Sequence, residues 1–536
     1  MRVLGIEGTA WAASAAVYDS DGDAVDIETE AYEPDSGGIH PREASEHMAE
    51  HLPQVIETVL ARNQVREDPS DPANPAAIDA VAFSRGPGLG PCLRVAGTAA
   101  RALAQRLDVP LVGANHMVAH LEIGRHRSGF EAPVCLNASG ANAHVLAYRN
   151  GRYRVLGETM DTGVGNAIDK FTRHLGWSHP GGPKVEARAK EGEYFELPYV
   201  VKGMDFSFSG IASAAQEAVD DGAPVADVCR GLQETVFAML TEVAERALAL
   251  TGRTELVLGG GVGQNARLRG MLASMCDDRG GDFHAPEPRF LRDNAGMIAV
   301  LGAKMARAGD TLAIEESRVD SDFRPDEVPV TWRDPDPPSR PGDDLVQGAE
   351  ATVAFEGNKV IKTRNPRSYR HPELDERLRR HRTRLEARLT SDARRAGVPT
   401  PLVLDTDLAE TRLTLQRVGT VDLRDAISEG RVRTVTEHLA RLHGAGLVHG
   451  DPTTRNVRVG AEGEDDRTFL IDFGLGYNSG HPEDHAMDLH VFAQSLEGTA
   501  ENADELVAAA VDAYRAVGDE QVLNRLRDIE GRGRYQ

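Results

Sequence analysis

A short unit recurs from the N-terminus to about residue 310, and few folds accommodate it. An apolar run of strand length ends in glycines and other small residues, and a helical pattern follows. This unit is typical of α/β folds, in which ligands bind at the carboxyl ends of the strands. The pattern restarts after about residue 130. The sequence therefore predicts two related lobes with a cleft between them.

Within this unit, the glycine-rich loops are the candidates for ligand binding. Glycine has no Cβ, so the backbone of such a loop can approach a phosphate or an adenosine closely. Five loops of this kind stand in the first part of the chain: EGTA (Glu7–Ala10), SRGPGLGP (Ser84–Pro91), ASGANA (Ala138–Ala143), HPGGP (His179–Pro183) and LGGGVGQN (Leu258–Asn265). Any one of them alone favours a plain tight turn, but five in one α/β unit predict a nucleotide cleft. Asn265 opens the following helix and is expected to hydrogen-bond a ribose or a base.

Two histidines four residues apart, His116 and His120, predict one ligand face on a helix. Imidazoles at that spacing can share a metal ion, and Asp293 in RDNAGMIA offers a third ligand. The plainer alternatives are two surface histidines and an aspartate that caps a helix. The spacing is also that of metalloproteases with the motif H-E-x-x-H, but Met117 occupies the position of their general base.

A segment rich in Pro and Asp, residues 321–344, divides the chain of 536 residues. Its composition predicts a stiff linker between a first part, residues 1–320, and a second part, residues 345–536. There is no apolar run of transmembrane length and no pattern of a signal peptide at the N-terminus, and the four cysteines are scattered. These features predict a cytoplasmic protein that does not contact a membrane.

The formal net charge of −24 indicates a protein adapted to a salt-rich cytosol, where ions screen its self-repulsion. Taken alone, this charge argues against nucleic acid as a partner, but a local basic surface can still bind RNA. The basic segment from Lys362 to Arg395 leaves two interpretations open. It is either a solvated helix with ion pairs such as Glu376–Arg380, or a patch that faces RNA or a partner.

The second part carries a motif of phosphoryl transfer, HGDPTTRN (His449–Asn456). It matches the catalytic loop H-R-D-x-x-x-x-N of protein kinases except for Gly450 in place of Arg. Asp451 is the candidate proton acceptor of a hydroxyl, and Asn456 is a candidate ligand of magnesium. Asp472 of the following DFG is the second candidate ligand of the magnesium that bridges ATP phosphates.

Lys362, in NKVIK, stands where the phosphate-contacting lysine of a kinase belongs, and Glu386 on the next helix is its candidate partner. There is no G-x-G-x-x-G loop, so one short segment is expected to cover the phosphates of ATP. It consists of Val346, Gln347, Gly348, Ala349, Glu350, Ala351, Thr352, Val353 and Ala354. No long activation segment follows the DFG, which favours ATP hydrolysis or a single special target. A scaffold without catalysis is the alternative, and the complete set of motif residues argues against it.

The motifs of the first part run in the order of one family: GIEGTA, SRGPGLGP, NHMVAH, SGANAH, DTGVGNAIDKFTR, HPGGPKVE, SFSG, GGGVGQN and DNAGMIA. Together they resemble the tRNA threonylcarbamoyladenosine synthases, once labelled O-sialoglycoprotein endopeptidases. The second part resembles the small atypical kinase of the archaeal KEOPS complex. The order of the two parts resembles the archaeal fusion of both, and the resemblance covers essentially the whole chain.

This resemblance implies a two-lobed α/β domain of the actin/Hsp70/sugar-kinase (ASKHA) type, followed by a small α+β kinase-like domain. It implies transfer of a threonylcarbamoyl group from threonylcarbamoyl-AMP to N6 of adenosine 37 in tRNAs that read codons beginning with A. The implied ligands of one iron or zinc ion are His116, His120 and Asp293, with Asn137 as a further candidate. The implied adenylate-binding residues are Asn137, Ala138, Ser139, Gly140, Ala141, Asp169, Gly182, Glu186 and Asn265. Mg-ATP in the second part, tRNA, other KEOPS subunits and a separate enzyme that supplies the adenylate are implied as well.

Two positions depart from the family. Archaeal relatives usually have a metal-binding Tyr at the position of Asn137, and a family glycine is Ala141 here. Asparagine offers a carbonyl oxygen but no phenolate, so the ligand set of the metal differs. Two other functions stay open at the level of residues: a metal-dependent glycoprotein endopeptidase, suggested by the histidine pair, and a sugar-kinase-like enzyme fused to a protein kinase.

Overall fold

The computed structural model describes residues 1–32, 39–65, 77–149, 151–333, 351–460 and 467–532. In those ranges, no helix is both long enough and apolar enough to cross a bilayer. The four cysteines are separate buried thiols.

The first part contains two five-stranded sheets with the same arrangement. Its strands are β1 Arg2–Glu7, β2 Ala12–Asp19, β3 Ala24–Ala31, β4 Ala80–Gly86, β5 Leu111–Asn115, β6 Val134–Ala138, β7 Ala143–Arg149, β8 Arg152–Glu158, β9 Val201–Lys202, β10 Asp205–Phe206, β11 Glu255–Gly259 and β12 Asp282–His284. The first sheet has the order β3-β2-β1-β4-β5 and the second the order β8-β7-β6-β11-β12. In each sheet an antiparallel meander of three strands is extended by two parallel strands. The two predicted lobes are thus confirmed as a structural repeat.

Helices surround and join these sheets. They are α1 Pro41–Arg62, α2 Gly90–Leu107, α3 His116–Ser128, α4 Val164–His174, α5 Gly182–Ala189, α6 Ser209–Asp220, α7 Val225–Thr251, α8 Ala266–Asp278, α9 Pro288–Leu291 and α10 Ala295–Ala308. Helix α10 lies against β1 so closely that a Cβ at Gly5 would stand 2.4 Å from the carbonyl oxygen of Ala295. Helix α3 crosses to the second lobe, where Gly124 faces Val257 of β11. Helices α10 and α3 therefore pack tightly against the strands that they contact.

The described portion of the predicted linker is not extended away from the first part. A short 3-10 turn covers Pro325–Glu327. Val328 and Val330 are buried in a core cluster shared by the two lobes, and the N–H of Val330 donates to the carbonyl of Gly151 at 2.7 Å. Apolar residues inside the Pro/Asp-rich segment explain this packing, since each buries its side chain against this cluster. The boundaries of the linker remain a prediction.

The second part begins with a four-stranded antiparallel sheet of order β13-β14-β16-β15 and continues mostly as helix. Its strands are β13 Thr352–Glu356, β14 Lys359–Thr363, β15 Val403–Asp407, β16 Arg412–Gln416, β17 Val421–Asp422, β18 Leu447–Val448, β19 Val457–Val459, β20 Thr468–Leu470 and β21 Tyr477–Asn478. Its helices are α11 Pro372–Arg395, α12 Glu429–Gly444, α13 Pro482–Thr499, α14 Ala503–Val517 and α15 Glu520–Arg532. Strands β19 and β20 form an antiparallel pair late in this part.

Helix α7 joins the two parts, and nearly every residue from Val228 to Leu250 is buried. Glu242 accepts charged hydrogen bonds from Arg370 at 2.7 Å and from Arg382 at 3.0 Å. The basic segment around α11 thus faces the first part of the same chain with some of its arginines. Glu376–Arg380, in contrast, is the exposed i,i+4 pair that the sequence predicts, at 2.8 Å.

Candidate metal centre and nucleotide cavities

Three potential metal ligands converge at the start of α3. The Asn115 side chain caps this helix by accepting the N–H groups of Met117 and Val118, so His116 and His120 lie on its first turns. The Nε2 atoms of His116 and His120 lie 3.4 and 3.5 Å from Oδ1 of Asp293. The three ligand atoms lie within 4.8 Å of one another, and both histidine side chains are largely buried. Two nitrogens and a carboxylate oxygen at one point suit a transition metal or zinc, so the residues fit the expected ion.

The alternative role of Asp293 as a helix cap does not hold. Helix α10 begins at Ala295, and its cap is Asn294, whose Oδ1 accepts the N–H of Met297 at 3.1 Å. The carboxylate of Asp293 is therefore directed to the histidines instead of to its own helix.

Glu7 contacts the candidate metal cluster, although its sequence pattern marked it only as part of a glycine loop. Its side chain is fully buried at the end of β1, and Oε2 lies 3.1 Å from Nδ1 of His116. Its other oxygen accepts the N–H and the hydroxyl of Thr9 at 2.8 and 2.6 Å. A carboxylate behind a ligating histidine fixes the tautomer and the orientation of the ring. The signal in the sequence was a carboxylate that closes an apolar strand.

The charges of this cluster are strongly coupled. Burial alone would lower the pKa of His116, but the carboxylates of Glu7 and Asp293 outweigh it and raise this pKa to about 10. Burial would raise the pKa of Asp293, yet the two histidines hold it well below its ordinary value. Burial lowers the pKa of His120. The pocket thus favours a cation between Asp293 and the histidines, whether this is a proton or a metal ion.

Asn137 lies at the end of β6 and is fully buried beside this cluster. Its Nδ2 is 3.6 Å from Sδ of Met117, on the side of α3. Its Oδ1 has no hydrogen-bond partner within the described ranges and points to the glycine loop, where a Cβ at Gly260 would stand 2.8 Å away. A rotation of the amide by 180° would turn the oxygen toward α3. Its role as a ligand remains a prediction.

A cavity of about 490 Å³ opens between the lobes and includes the metal cluster in its lining. All but one of the residues expected to bind the adenylate line it: Asn137, Ser139, Gly140, Ala141, Asp169, Gly182, Glu186 and Asn265. Ala138 is the exception, as a fully buried residue of β6. Four segments separated in sequence are thus brought to one cleft.

Polar groups on the far wall of this cavity hold one another in place. Asn265 caps α8 by accepting the N–H groups of Arg267 and Leu268, and its Nδ2 donates to Gln233 at 3.3 Å. Glu186 accepts the N–H of Ala266 at 3.0 Å. The two side chains therefore lie together at the N-terminus of α8, where the sugar or the base of a nucleotide would find both a donor and an acceptor.

A second cavity, of about 220 Å³, lies in the second part and brings together the motif residues there. Its lining includes Lys362, Glu386, Asp451, Asn456 and Asp472. Nζ of Lys362 lies 3.0 Å from both oxygens of Glu386 and 2.6 Å from Oδ1 of Asp472. Nδ2 of Asn456 donates to Oδ2 of Asp451 at 2.9 Å. Charged groups of both signs thus surround one pocket, as binding of a polyphosphate with a divalent ion requires.

The predicted phosphate-covering segment is only partly described. Ala351 and Val353 line the second cavity, and Thr352 and Ala354 belong to β13 beside it. The remaining residues, Val346, Gln347, Gly348, Ala349 and Glu350, lie outside the described residues.

The first part also contributes to the second cavity, which the sequence analysis did not foresee. Arg246, near the end of α7, donates to Oδ2 of Asp451 at 2.9 Å. Ala249 and Leu250 of the same helix line the cavity as well. Sequence offers no signal for this contact, because the two partners are separated by 205 residues.

Comparison with known proteins gives three results. The family model described as tRNA N6-adenosine threonylcarbamoyltransferase matches residues 24–300. Proteins described as probable bifunctional tRNA threonylcarbamoyladenosine biosynthesis proteins are similar over their whole length. The one from Halobacterium salinarum is 73% identical (100% of this chain, 99% of the relative), the one from Haloarcula marismortui 70% (100% and 100%), and the one from Methanospirillum hungatei 50% (99% and 99%). Among solved structures, full-length HypF in a phosphate- and nucleotide-bound form matches 57% of this chain and 46% of its own, with 13% identity and a TM-score of 0.40.

Proposed function

The chain belongs to the tRNA N6-adenosine threonylcarbamoyltransferases, as a bifunctional member, and we propose that its two cavities carry the two activities of such a protein. Its function is the formation of threonylcarbamoyladenosine in tRNA. The proposed donor is threonylcarbamoyl-AMP and the proposed acceptor is N6 of adenosine 37. The observation that carries this assignment is the convergence of a buried His-His-Asp cluster with eight adenylate-binding candidates around one cavity.

The proposed reaction is a single acyl transfer. N6 of the acceptor adenosine attacks the carbamoyl carbon, the bond from that carbon to the phosphate oxygen breaks, AMP leaves, and N6 loses a proton. A divalent ion held by His116, His120 and Asp293 supplies Lewis acidity to the carbonyl or the phosphate when bound. Glu7 keeps His116 in the orientation that presents Nε2 to the ion. The chemistry needs no nucleophile from the enzyme, because AMP is already a competent leaving group.

The donor is held by the chain itself in this proposal. Glu186 and Asn265, together at the start of α8, bind the sugar or the base. The loop from Ser139 to Ala141 carries no large side chain and lets a phosphate approach the backbone. Iron and zinc both suit the ligand set, and Asn137 is proposed as a further ligand once its amide oxygen turns toward α3.

We propose for the second part a small kinase-like fold that binds Mg-ATP. Lys362, fixed by Glu386, would contact the phosphates, and Asn456 and Asp472 would hold magnesium. Asp451 would accept the proton of a hydroxyl or of water. Support comes from the joint placement of these five side chains in one cavity.

The proposed partners follow from the chemistry. The tRNA is the acceptor, a separate enzyme supplies the adenylate, and further KEOPS subunits complete the assembly. Met117 argues against the endopeptidase alternative. This residue follows His116, is buried and offers no carboxylate to activate water. Nothing specific favours the sugar-kinase alternative.

The test is reconstitution of the full chain in molar KCl with tRNA, an adenylate-forming enzyme, threonine, bicarbonate, ATP and KEOPS subunits. We expect threonylcarbamoyladenosine in the digested tRNA by mass spectrometry, and its loss in His120→Ala. No product from the wild-type chain, with adenylate formation verified in the same tube, would contradict the proposal.

A further inference from the structure

An aromatic pair spans the cleft of the first part. Trp11, on the loop between β1 and β2, belongs to the first lobe, and His179, on the loop before α5, belongs to the second. Their ring centroids lie 4.9 Å apart and their planes differ by 5°. Both residues line the cavity between the lobes, and both are only half-buried. One ring from each lobe thus contributes to a stacked pair at the cavity.

Neighbouring residues lie close to both members of the pair. Nδ1 of His179 lies 3.2 Å from Oδ2 of Asp169, without hydrogen-bond geometry. Trp11 stands two residues after Thr9, whose N–H and hydroxyl both donate to Glu7. The loop that carries Trp11 is thus anchored beside the metal ligands, and His179 lies beside Asp169 of the proposed adenylate site.

His179 is more exposed than the two histidine ligands and as exposed as Asp293. The side chain of His120 is 2% exposed and that of His116 is 11% exposed, whereas that of His179 is 19% exposed. Gly140, a residue of the proposed adenylate site, lies next to the indole, since a Cβ there would stand 3.9 Å from Nε1 of Trp11. A molecule that enters the cavity to reach the adenylate donor would pass the pair of Trp11 and His179.

The acceptor in the proposed reaction is a nucleobase that must leave its stack to bring N6 to the acyl carbon. Proteins commonly bind single unstacked bases on the faces of aromatic side chains. The cavity also carries the carboxylates of Asp169, Glu186 and Asp293, and the whole chain has a net charge of −24. Attraction of phosphates is a weak source of affinity here, and molar salt shortens the range of charge interactions to about 3 Å. Stacking of neutral rings does not depend on counterions.

We propose that Trp11, backed by His179, is the platform on which the acceptor adenine of the RNA stacks. This inference rests on the proposed function, because it takes the adenine of tRNA as the acceptor. It assigns a substrate-binding role to a residue that holds neither the metal nor the adenylate in the assignment above.

The direct test uses an anticodon stem-loop RNA with 2-aminopurine in place of the acceptor adenosine, mixed with the full chain in molar KCl. Stacking on an indole quenches 2-aminopurine fluorescence. We expect quenching with the wild type and with Trp11→Phe, and an affinity that falls roughly tenfold to a hundredfold in Trp11→Ala, as for loss of one base–aromatic stack. Trp332→Phe removes a tryptophan outside the cavity and is the matched control, with wild-type binding expected.

Kinetics with unmodified tRNA separate the two adenines of the reaction. In Trp11→Ala, we expect KM for tRNA to rise while KM for threonylcarbamoyl-AMP stays at the wild-type value. A rise in KM for the adenylate instead would assign the platform to the donor and overturn the proposal. Equal quenching in wild type and Trp11→Ala would overturn it as well. Failure of the wild type to modify tRNA at all would count against the proposed function and not against the platform.

Discussion

At the residue scale, the convergence of His116, His120 and Asp293 could be predicted, but the contact of Glu7 with His116 could not. His116 and His120 share a helix face at any ordinary helix geometry, so their spacing carried the prediction. The contact between Glu7 and His116 joins residues 109 apart in the chain. A local sequence pattern cannot predict a contact between residues so far apart. The cap at Asn294 likewise became visible only when the start of α10 was known.

Replacement of Glu7 by Gln tests its role directly. Glutamine keeps the size of the side chain but removes the charge that holds Nδ1–H of His116. Loss of such a carboxylate behind a metal-bound histidine typically weakens metal affinity by about 10–100-fold. We expect this loss in competition titrations of Zn²⁺ and Fe²⁺ against a chelator, under anaerobic conditions for iron. Glu57→Gln, on the exposed face of α1, is the control, and equal affinities in the two variants would rule out the orienting role.

At the element scale, much of the fold was accessible from pattern. The hairpin of β2 and β3 turns around Asp21-Gly22, a dipeptide typical of hairpin turns, with Asp23 at a φ of 48°. Helix α2 starts at Gly90, because Pro91 suits the first turn of a helix. The surroundings of helix α7 could not be predicted from the sequence. Its charged residues, such as Glu242 and Arg246, are buried by partners far along the chain.

Gly124 tests how tightly α3 is held between the lobes. A glycine in a helix usually costs about 1 kcal/mol relative to alanine, so Gly→Ala should stabilise. At Gly124, however, the new Cβ would stand 2.2 Å from Cγ1 of Val257. Overpacking of this kind costs about 1–3 kcal/mol, and it should outweigh the gain in helix propensity. We expect Gly124→Ala to lower the midpoint of thermal unfolding in molar KCl.

Gly270→Ala in helix α8 provides the matched control. No atom lies within 4 Å of a Cβ built at Gly270. Only the helix propensity changes there, so the midpoint of thermal unfolding should rise or stay unchanged. A rise of equal size in both variants would mean that α3 has more room than its contact with Val257 indicates.

At the scale of the whole molecule, the two parts meet through buried charge. Glu242 is almost fully buried and is surrounded by Arg370, Arg382 and Arg246. Removal of one partner from a buried ion pair costs about 3–5 kcal/mol, because the remaining charges are left without compensation. Salt in the solvent screens such pairs much less than exposed ones. A protein with a large negative net charge can therefore hold its two parts together at high ionic strength.

We expect Glu242→Gln to weaken the union of the two parts, with earlier thermal unfolding and faster limited proteolysis of the full chain in molar KCl. Glu376→Gln is the control, since its exposed pair with Arg380 contributes only about 0–1 kcal/mol. Indistinguishable curves for the two variants would show that the buried carboxylate is dispensable.

Through the contact of Arg246 with Asp451, we expect the first part of the chain to restrain the phosphoryl transfer proposed for the second part. The guanidinium of Arg246 lies 2.9 Å from Oδ2 of Asp451, the carboxylate that would accept the proton of an acceptor hydroxyl. We therefore expect Arg246→Ala to raise incorporation of labelled phosphate from ATP into the chain several-fold. Arg382→Ala removes a different arginine from Glu242 without touching Asp451, so it controls for damage at the interface. An increase in both variants would trace the effect to a loosened interface, and a decrease in Arg246→Ala alone would assign this arginine to catalysis instead of restraint.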